Sequence, residues 1–208
     1  MPGEAPGPDT GRENPRHIDE LLRQDPANPR LLLEAARYYH RLAMQGSEMA
    51  LDRADEAVKA LLAQDRRNAE ACAIHANTSI LRLKSSRSRL RRVYVLIKAG
   101  RMLDRAVSFD PTNMTARTIR AFTALVFPGF LKRWPTAAAD FEYLIRRKGE
   151  DPSLLPDEMM PKVYYNLGLA YAKTGRVGDA VRVLTEVVTR FPEAGESDRA
   201  QNLMEKMK

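Results

Sequence analysis

Apolar positions along this chain recur at helical spacing, most legibly in Pro161 to Ala194, PKVYYNLGLAYAKTGRVGDAVRVLTEVVTRFPEA. Tyr164, Leu167, Gly168 and Tyr171 stand at i, i+3, i+4 and i+7, so two rings, a leucine and a gap share one helical stripe. Thr174-Gly175 breaks the pattern, because glycine takes the left-handed conformation that closes a helix. A second stripe runs through Ala180, Val183, Leu184, Val187 and Val188 and stops at Phe191-Pro192, where proline removes a backbone donor and restricts the residue before it. Gly168 and Ala180 are small enough to let two antiparallel helices approach closely. The stretch is a helical hairpin, which cannot bury its apolar face alone and needs stacking neighbours.

Similar patterns fill the rest of the chain. His17 to Gln24 predicts a short capping helix, and Asn28-Pro29 supplies an N-cap followed by proline at the first helical position. Leu32, Ala35, Ala36 and Tyr39 then make a stripe, Gln45-Gly46-Ser47 a break, and Ala54, Val58 and Leu61 a return helix ending at 65–68. A second unit carries Cys72, His75, Ala76 and Ser79 on its first helix and Ala99, Leu103 and Ala106 on its second, before Pro111. It is too long by about 11 residues, close to three helical turns. That excess predicts two lengthened helices meeting near Ser85-Ser86, with the stripe kept in phase. A third unit starts near Met114 with Ile119, Phe122 and Leu125. It is interrupted by Phe127-Pro128-Gly129-Phe130 and returns from Pro135 through Ala138, Phe141, Leu144 and Ile145. Residues 148–160 read as a loop, and 195–208 as a terminal helix with Leu203, Met204 and Met207 on one side.

Tyr164, Leu167, Gly168, Tyr171, Ala180, Leu184 and Pro192 are spaced as in the tetratricopeptide repeat, TPR, with Val187 in place of the usual second alanine. The chain therefore resembles the TPR superfamily. The resemblance implies an all-α, right-handed α-solenoid of about four TPR-like hairpins, at 29–68, 69–113, 114–148 and 161–194, with terminal capping helices. The C-terminal cap is 195–208. Residues 1–15 read as a disordered leader and 16–208 as a single repeat domain.

Composition adds little until charge is mapped. With 44% hydrophobic and 29% charged residues the 208-residue chain is an ordinary soluble type. One cysteine, Cys72, rules out an internal disulfide framework and fits a reducing compartment, so a cytoplasmic location is expected. No apolar run reaches the ~18 residues of a membrane span, and the N-terminus lacks the basic and apolar regions of a secretion signal. The net charge of +7 is local: Ala71 to Leu103 holds Arg82, Lys84, Arg87, Arg89, Arg91, Arg92, Lys98 and Arg101 and no acidic residue.

Nothing specifies a reaction. His17, His40 and His75 are not at metal-ligand spacing to one another or to Cys72, and phosphate loops, GxSxG elbows and HExxH helices are absent. The expectation is a non-enzymatic scaffold or adaptor for protein partners, without metal or cofactor. Homo-oligomerisation is left open.

Three surfaces are candidates. The basic run of Arg82, Lys84, Arg87, Arg89, Arg91 and Arg92 sits at the tip of the extension, where its charge suits phosphates, anionic lipid heads or an acidic protein segment. The plain alternative is a solvated pair of helix ends. An acidic protein is preferred, because nucleic-acid readers add stacking aromatics and only Tyr94 lies nearby. A nucleic-acid-binding accessory protein is the competing class. Ser85, Ser86 and Ser88 stand among the arginines, where phosphorylation would cancel charge. The TPR resemblance further implies a concave face of first helices that takes an extended peptide or partner helix. It falls here on Arg30, Arg37, Arg41, Asn77, Phe122, Lys162, Tyr165, Asn166 and Lys173, a set suited to an acidic peptide with some apolar residues. Finally, Phe127, Phe130 and Trp134 crowd a Pro-Gly turn as a docking spot, unless they fold back over a hairpin.

Overall fold

A computed structural model describes residues 15–85 and 87–207 of the chain. The leader expected over 1–15 lies outside the described residues except for Pro15, which already belongs to the first helix, α1 (Pro15–Gln24). Every described element is helical, and the helices group into two compact units divided between Pro111 and Thr112, where the sequence reads as one repeat domain.

The first unit continues with α2 (Pro29–Met44), α3 (Glu48–Gln64), α4 (Ala69–Leu81) and α5 (Arg89–Phe109). Helices α2 and α3 form one antiparallel hairpin and α4 and α5 the next, with α4 packed on both members of the first and α1 laid against α2. Helix α4 is central, and its sequence shows it: from Ala69 to Thr78 only His75 escapes full burial, so it has little amphipathic contrast. The starts of α2, α4 and α6 (Met114–Ala124) share one device. An asparagine side chain, Asn28, Asn68 or Asn113, accepts from the first-turn amides two or three residues on, at 2.9–3.2 Å. Each of these asparagines stands three residues after an aspartate, Asp25, Asp65 or Asp110. Two glycines hold the left-handed backbone their turns require, Gly46 (φ 106°) after α2 and Gly175 (φ 79°) near the chain's end.

The excess length of the second hairpin is not shared between its helices. Helix α4 stops at Leu81 after 13 residues and a single 3-10 turn follows at Arg82–Ser85, whereas α5 runs for 21 residues from Arg89. Buried positions in α5 begin at Ala99, and none of the ten residues before it is buried. The extension is therefore one helix, not two, with its N-terminus capped by Ser88 Oγ accepting from the Arg91 amide at 3.2 Å.

The second unit holds α6, α7 (Trp134–Glu150), α8 (Met160–Lys173), α9 (Val177–Arg190) and α10 (Gly195–Glu205), each packed on the next, with α10 also reaching α8. Its core is built from Phe141, Leu144, Val163, Leu167, Leu184 and Val187, and it is closest where Gly168 faces Leu184. The segment between α7 and α8 is less open than its prolines suggest. Lys148 Nζ donates to the carbonyls of Pro152 and Leu155 and pairs with Asp157 at 2.7 Å, folding two short 3-10 turns against the helix.

Candidate interaction surface

On the first unit, the expected groove residues have unequal fates. Arg37 grips Glu70 through Nε and an Nη at 2.6 and 2.7 Å, and Glu70 is itself buried, so this arginine ties α2 to α4. Asn77 is only 9% exposed, with Oδ1 2.9 Å from His40 Nε2. Both satisfy polar groups that the α2–α4 contact would otherwise bury unpaired, which removes Asn77 from the surface, while the Arg37 side chain stays 54% exposed. Arg30 and Arg41 are exposed; Arg30 reaches Glu34 one turn on at 3.5 Å, and the Arg41 guanidinium lies 5.8 Å from the Tyr38 ring centre.

The His40–Asn77 contact gives the first unit a pH dependence. Burial depresses the His40 pKa, opposed only in part by the Asn77 hydrogen bond and the Glu70 charge. A histidine depressed in the fold is protonated first in the unfolded chain, whose imidazole titrates near ~6.5. The stability it contributes is complete above that value and is lost as pH falls through the folded pKa. We expect urea unfolding to shift to lower concentration between about pH 7.5 and about pH 5.5, and the shift to shrink in His40→Gln. An equal shift in both proteins would remove His40 from the explanation.

On the second unit, Phe122 meets Phe141 edge to face at 5.1 Å and is partly buried, and Tyr165 is 8% exposed beneath the Arg199 guanidinium at 4.4 Å. The sequence places both on a partner-facing wall; packing within the unit takes them instead. Asn166 is spent locally, donating to the Lys162 carbonyl at 2.8 Å. Lys162 and Lys173 are exposed and form no ion pair among the described residues. The three rings of the Pro-Gly turn do not converge. Phe127 is buried with Arg133 over its face, Trp134 packs on the core, and Phe130 alone is left 68% exposed.

The basic run also divides. Arg82 pairs with Asp52 at 2.7 Å and Asp55 at 3.4 Å. Burial pushes the Asp55 carboxyl up, but Lys59 and His75 outweigh it and hold the acid below its ordinary range. The side chains of Lys84 and Ser85, and all of Ser86, lie outside what the structure describes. Arg92 is exposed and already has a contact of its own. Arg87, Arg89, Arg91 and Lys98 are exposed, and no ion pair engages them among the described residues. Beside the outer end of this arm, at Arg91, a groove of about 400 Å³ opens among Ala43, Leu51, Asp52, Leu81, Arg82 and Arg91.

Sequence reasoning missed the arm's apolar side chains. Leu90 is 86% and Tyr94 67% exposed, and Val93 and Ile97 are partly so. Their spacing, i, i+3, i+4 and i+7, was available as a signal. They do not continue the core stripe of Ala99, Leu103, Ala106 and Val107, from which they are rotated by roughly 140°. The inserted turns therefore do not keep the stripe in phase; only Leu96 does. Elsewhere, Cys72 is buried with Sγ 3.7 Å from the Arg66 carbonyl, and burial pushes its thiol pKa up, away from reactivity. No three His, Cys, Asp or Glu side chains are placed to hold a metal ion among the described residues, and no described helix is long and apolar enough to cross a membrane.

A sequence profile of the tetratricopeptide repeat matches residues 162–194. Among solved structures the chain is similar to TTC0263, a thermophilic TPR protein in Thermus thermophilus. The two are 18% identical over 89% of this chain and 86% of that one, with a TM-score of 0.60. It is also similar to two structures of MamA, each 21% identical over 84% of this chain. They cover 84% and 79% of the respective MamA chains, with TM-scores of 0.53 and 0.51. No curated protein matches the sequence significantly. The chain thus carries a tetratricopeptide repeat at 162–194 and has an all-α helical-repeat fold of the kind found in TPR proteins.

Proposed function

We infer that this chain, a helical-repeat protein carrying a tetratricopeptide repeat at its C-terminal end, is a non-enzymatic scaffold that binds a protein partner through an acidic peptide or helix. The observation that carries the reading is the set of exposed cations on α5 and just before it, Arg87, Arg89, Arg91 and Lys98, in a stretch with no acidic residue from 71 to 103. Lys162 and Lys173 on α8, with Arg30 and Arg41 on α2, offer smaller cationic faces on first helices of hairpins. Asn77, Phe122 and Tyr165 support the hairpins rather than the partner, and the exposed Arg37 is already paired with Glu70.

The competing reading is nucleic acid at the 82–92 tip, favoured by Tyr94, an exposed ring on which a base could stack. Affinity purification of the full chain from its native cell, with and without nuclease, separates the two. A protein set that survives nuclease and is lost in Arg89→Glu/Arg91→Glu/Lys162→Glu/Lys173→Glu is the expected result. If every captured partner disappears on nuclease treatment while the purified chain binds short single strands at physiological salt, the scaffold reading is overturned.

A further inference from the structure

The arm of α5 combines two features: Arg89, Arg91 and Lys98 form no ion pair among the described residues, and Leu90 and Tyr94 are largely exposed. Leu90, Val93, Tyr94 and Ile97 occupy a strip about 100° wide, with Arg89 on one flank, Lys98 and Arg91 on the other, and Arg101 beyond its end. A leucine 86% exposed and a tyrosine 67% exposed on adjoining turns are not needed to hold the first unit together, since the buried positions of α5 begin only at Ala99.

Resting on the scaffold reading above, we propose that the α5 arm, Arg89–Lys98, is a docking strip for an acidic amphipathic helix. The partner's apolar seam lies along Leu90, Val93, Tyr94 and Ile97, and its flanking carboxylates face Arg89, Arg91 and Lys98. Two features choose this occupant. The spacing i, i+3, i+4, i+7 makes an apolar stripe of the kind by which one helix packs on another, and charge at its edges selects the partner. A helix lying in a lipid surface presents a broader apolar face, and here Val95 and Leu96 fall outside the strip. The cations fix the sign of the partner: Arg89, Arg91 and Lys98 form no ion pair among the described residues, so an acidic helix gains their attraction without displacing an internal one. Arg37, whose recruitment would break its pair with Glu70, lacks that advantage.

The probe is a synthetic helical peptide with leucine at a and d and glutamate at e and g. A scrambled peptide of equal composition and phosphatidylserine vesicles serve as comparators. The full chain is expected to bind the seam peptide, and to bind the scrambled one at least about tenfold more weakly. Leu90→Ser/Tyr94→Ser removes exposed side chains only, so the far-ultraviolet helix signal should persist while affinity for the seam peptide falls about tenfold or more. Arg89→Glu/Lys98→Glu should do the same and flatten the salt dependence. If the peptide binds the Leu90/Tyr94 variant as tightly as the parent chain, docking on the arm is overturned and the scaffold reading stands on other surfaces. If neither peptide binds at all, docking on the arm is likewise overturned, and the scaffold reading is decided by the nuclease-controlled purification. Retention on vesicles without peptide binding would reassign the strip to a lipid surface, and sedimentation of the free chain as a dimer that Leu90→Ser/Tyr94→Ser dissolves would reassign it to a second copy.

Discussion

Replacing Asp140 with alanine should cost the second unit about 3–5 kcal/mol, a large share of the stability of an ordinary domain. The carboxylate is fully buried on α7 and lies between two arginines of α6. Its Oδ1 accepts from Arg117 at 2.7 Å and from Arg120 at 2.8 Å, and its Oδ2 accepts from Arg120 Nε at 2.7 Å. The arginine side chains are only 16% and 14% exposed, so water can replace the carboxylate only in part. The Arg117 guanidinium also lies 3.8 Å from the Tyr143 ring centre, which holds it in place. The loss arises from two largely enclosed guanidiniums deprived of the carboxylate that both of them grip. A triple replacement, Asp140→Leu with Arg117→Met and Arg120→Leu, should recover most of it, because a matched apolar cluster can equal a buried ion triad. The chain's single tryptophan, Trp134, opens α7 and reports the unfolding of this unit by fluorescence in urea. A midpoint shift equivalent to less than about 1 kcal/mol in Asp140→Ala would refute the argument.

Gly168→Ala carries the second large expectation, and its sign is decided by a competition. In a helix interior alanine is favoured over glycine by about 1 kcal/mol. Against that, a Cβ at position 168 would sit 2.6 Å from Leu184 Cγ and 2.7 Å from one Cδ, contacts that atoms do not sustain. Leu184 is fully buried and Cγ is the branch point of its side chain, so α8 and α9 must separate to admit the methyl group. Overpacking of this kind costs about 1–3 kcal/mol before the helix preference is subtracted. We expect a net destabilisation of roughly 1–2 kcal/mol, seen as a fall in Tm of roughly 2–8 °C. Leu184→Ala alone should destabilise by leaving a cavity, yet in the Gly168→Ala background it should cost much less. Strictly additive effects of the two substitutions would show that the helices do not meet there.

The legible part of this fold is the part written in short-range spacing. The hairpin at 161–194 could be read residue by residue because its apolar stripe, its glycine turn and its proline stop all act within a few residues of one another. The prolines at 29 and 135 mark helix starts for the same local reason. What escaped is what depends on partners distant in sequence. Arg37 and Glu70 are 33 positions apart and Arg117 and Asp140 are 23 apart; nothing local distinguishes these cations from those that face water. Helical phase puts Asn77 and Tyr165 on an open face, but α4 is enclosed on several sides and Arg199 of α10 covers Tyr165. Counting detects the lengthened helix, yet counting cannot say which arm of a hairpin takes the residues. The 3-10 turn at 82–85 and the Ser88 cap settle it in favour of α5.

That asymmetry has a mechanical consequence. Because the arm continues a helix already anchored at Ala99 to Val107, it is spared the costly first turn that an isolated ten-residue helix must nucleate. Its reach is about 15 Å, and each residue added or removed before Lys98 would change that reach by about 1.5 Å while turning the outer strip by about 100°. Length and aim are therefore coupled as on a screw: deleting four residues shortens the reach by about one turn yet nearly restores the facing, whereas deleting two points the strip almost the opposite way.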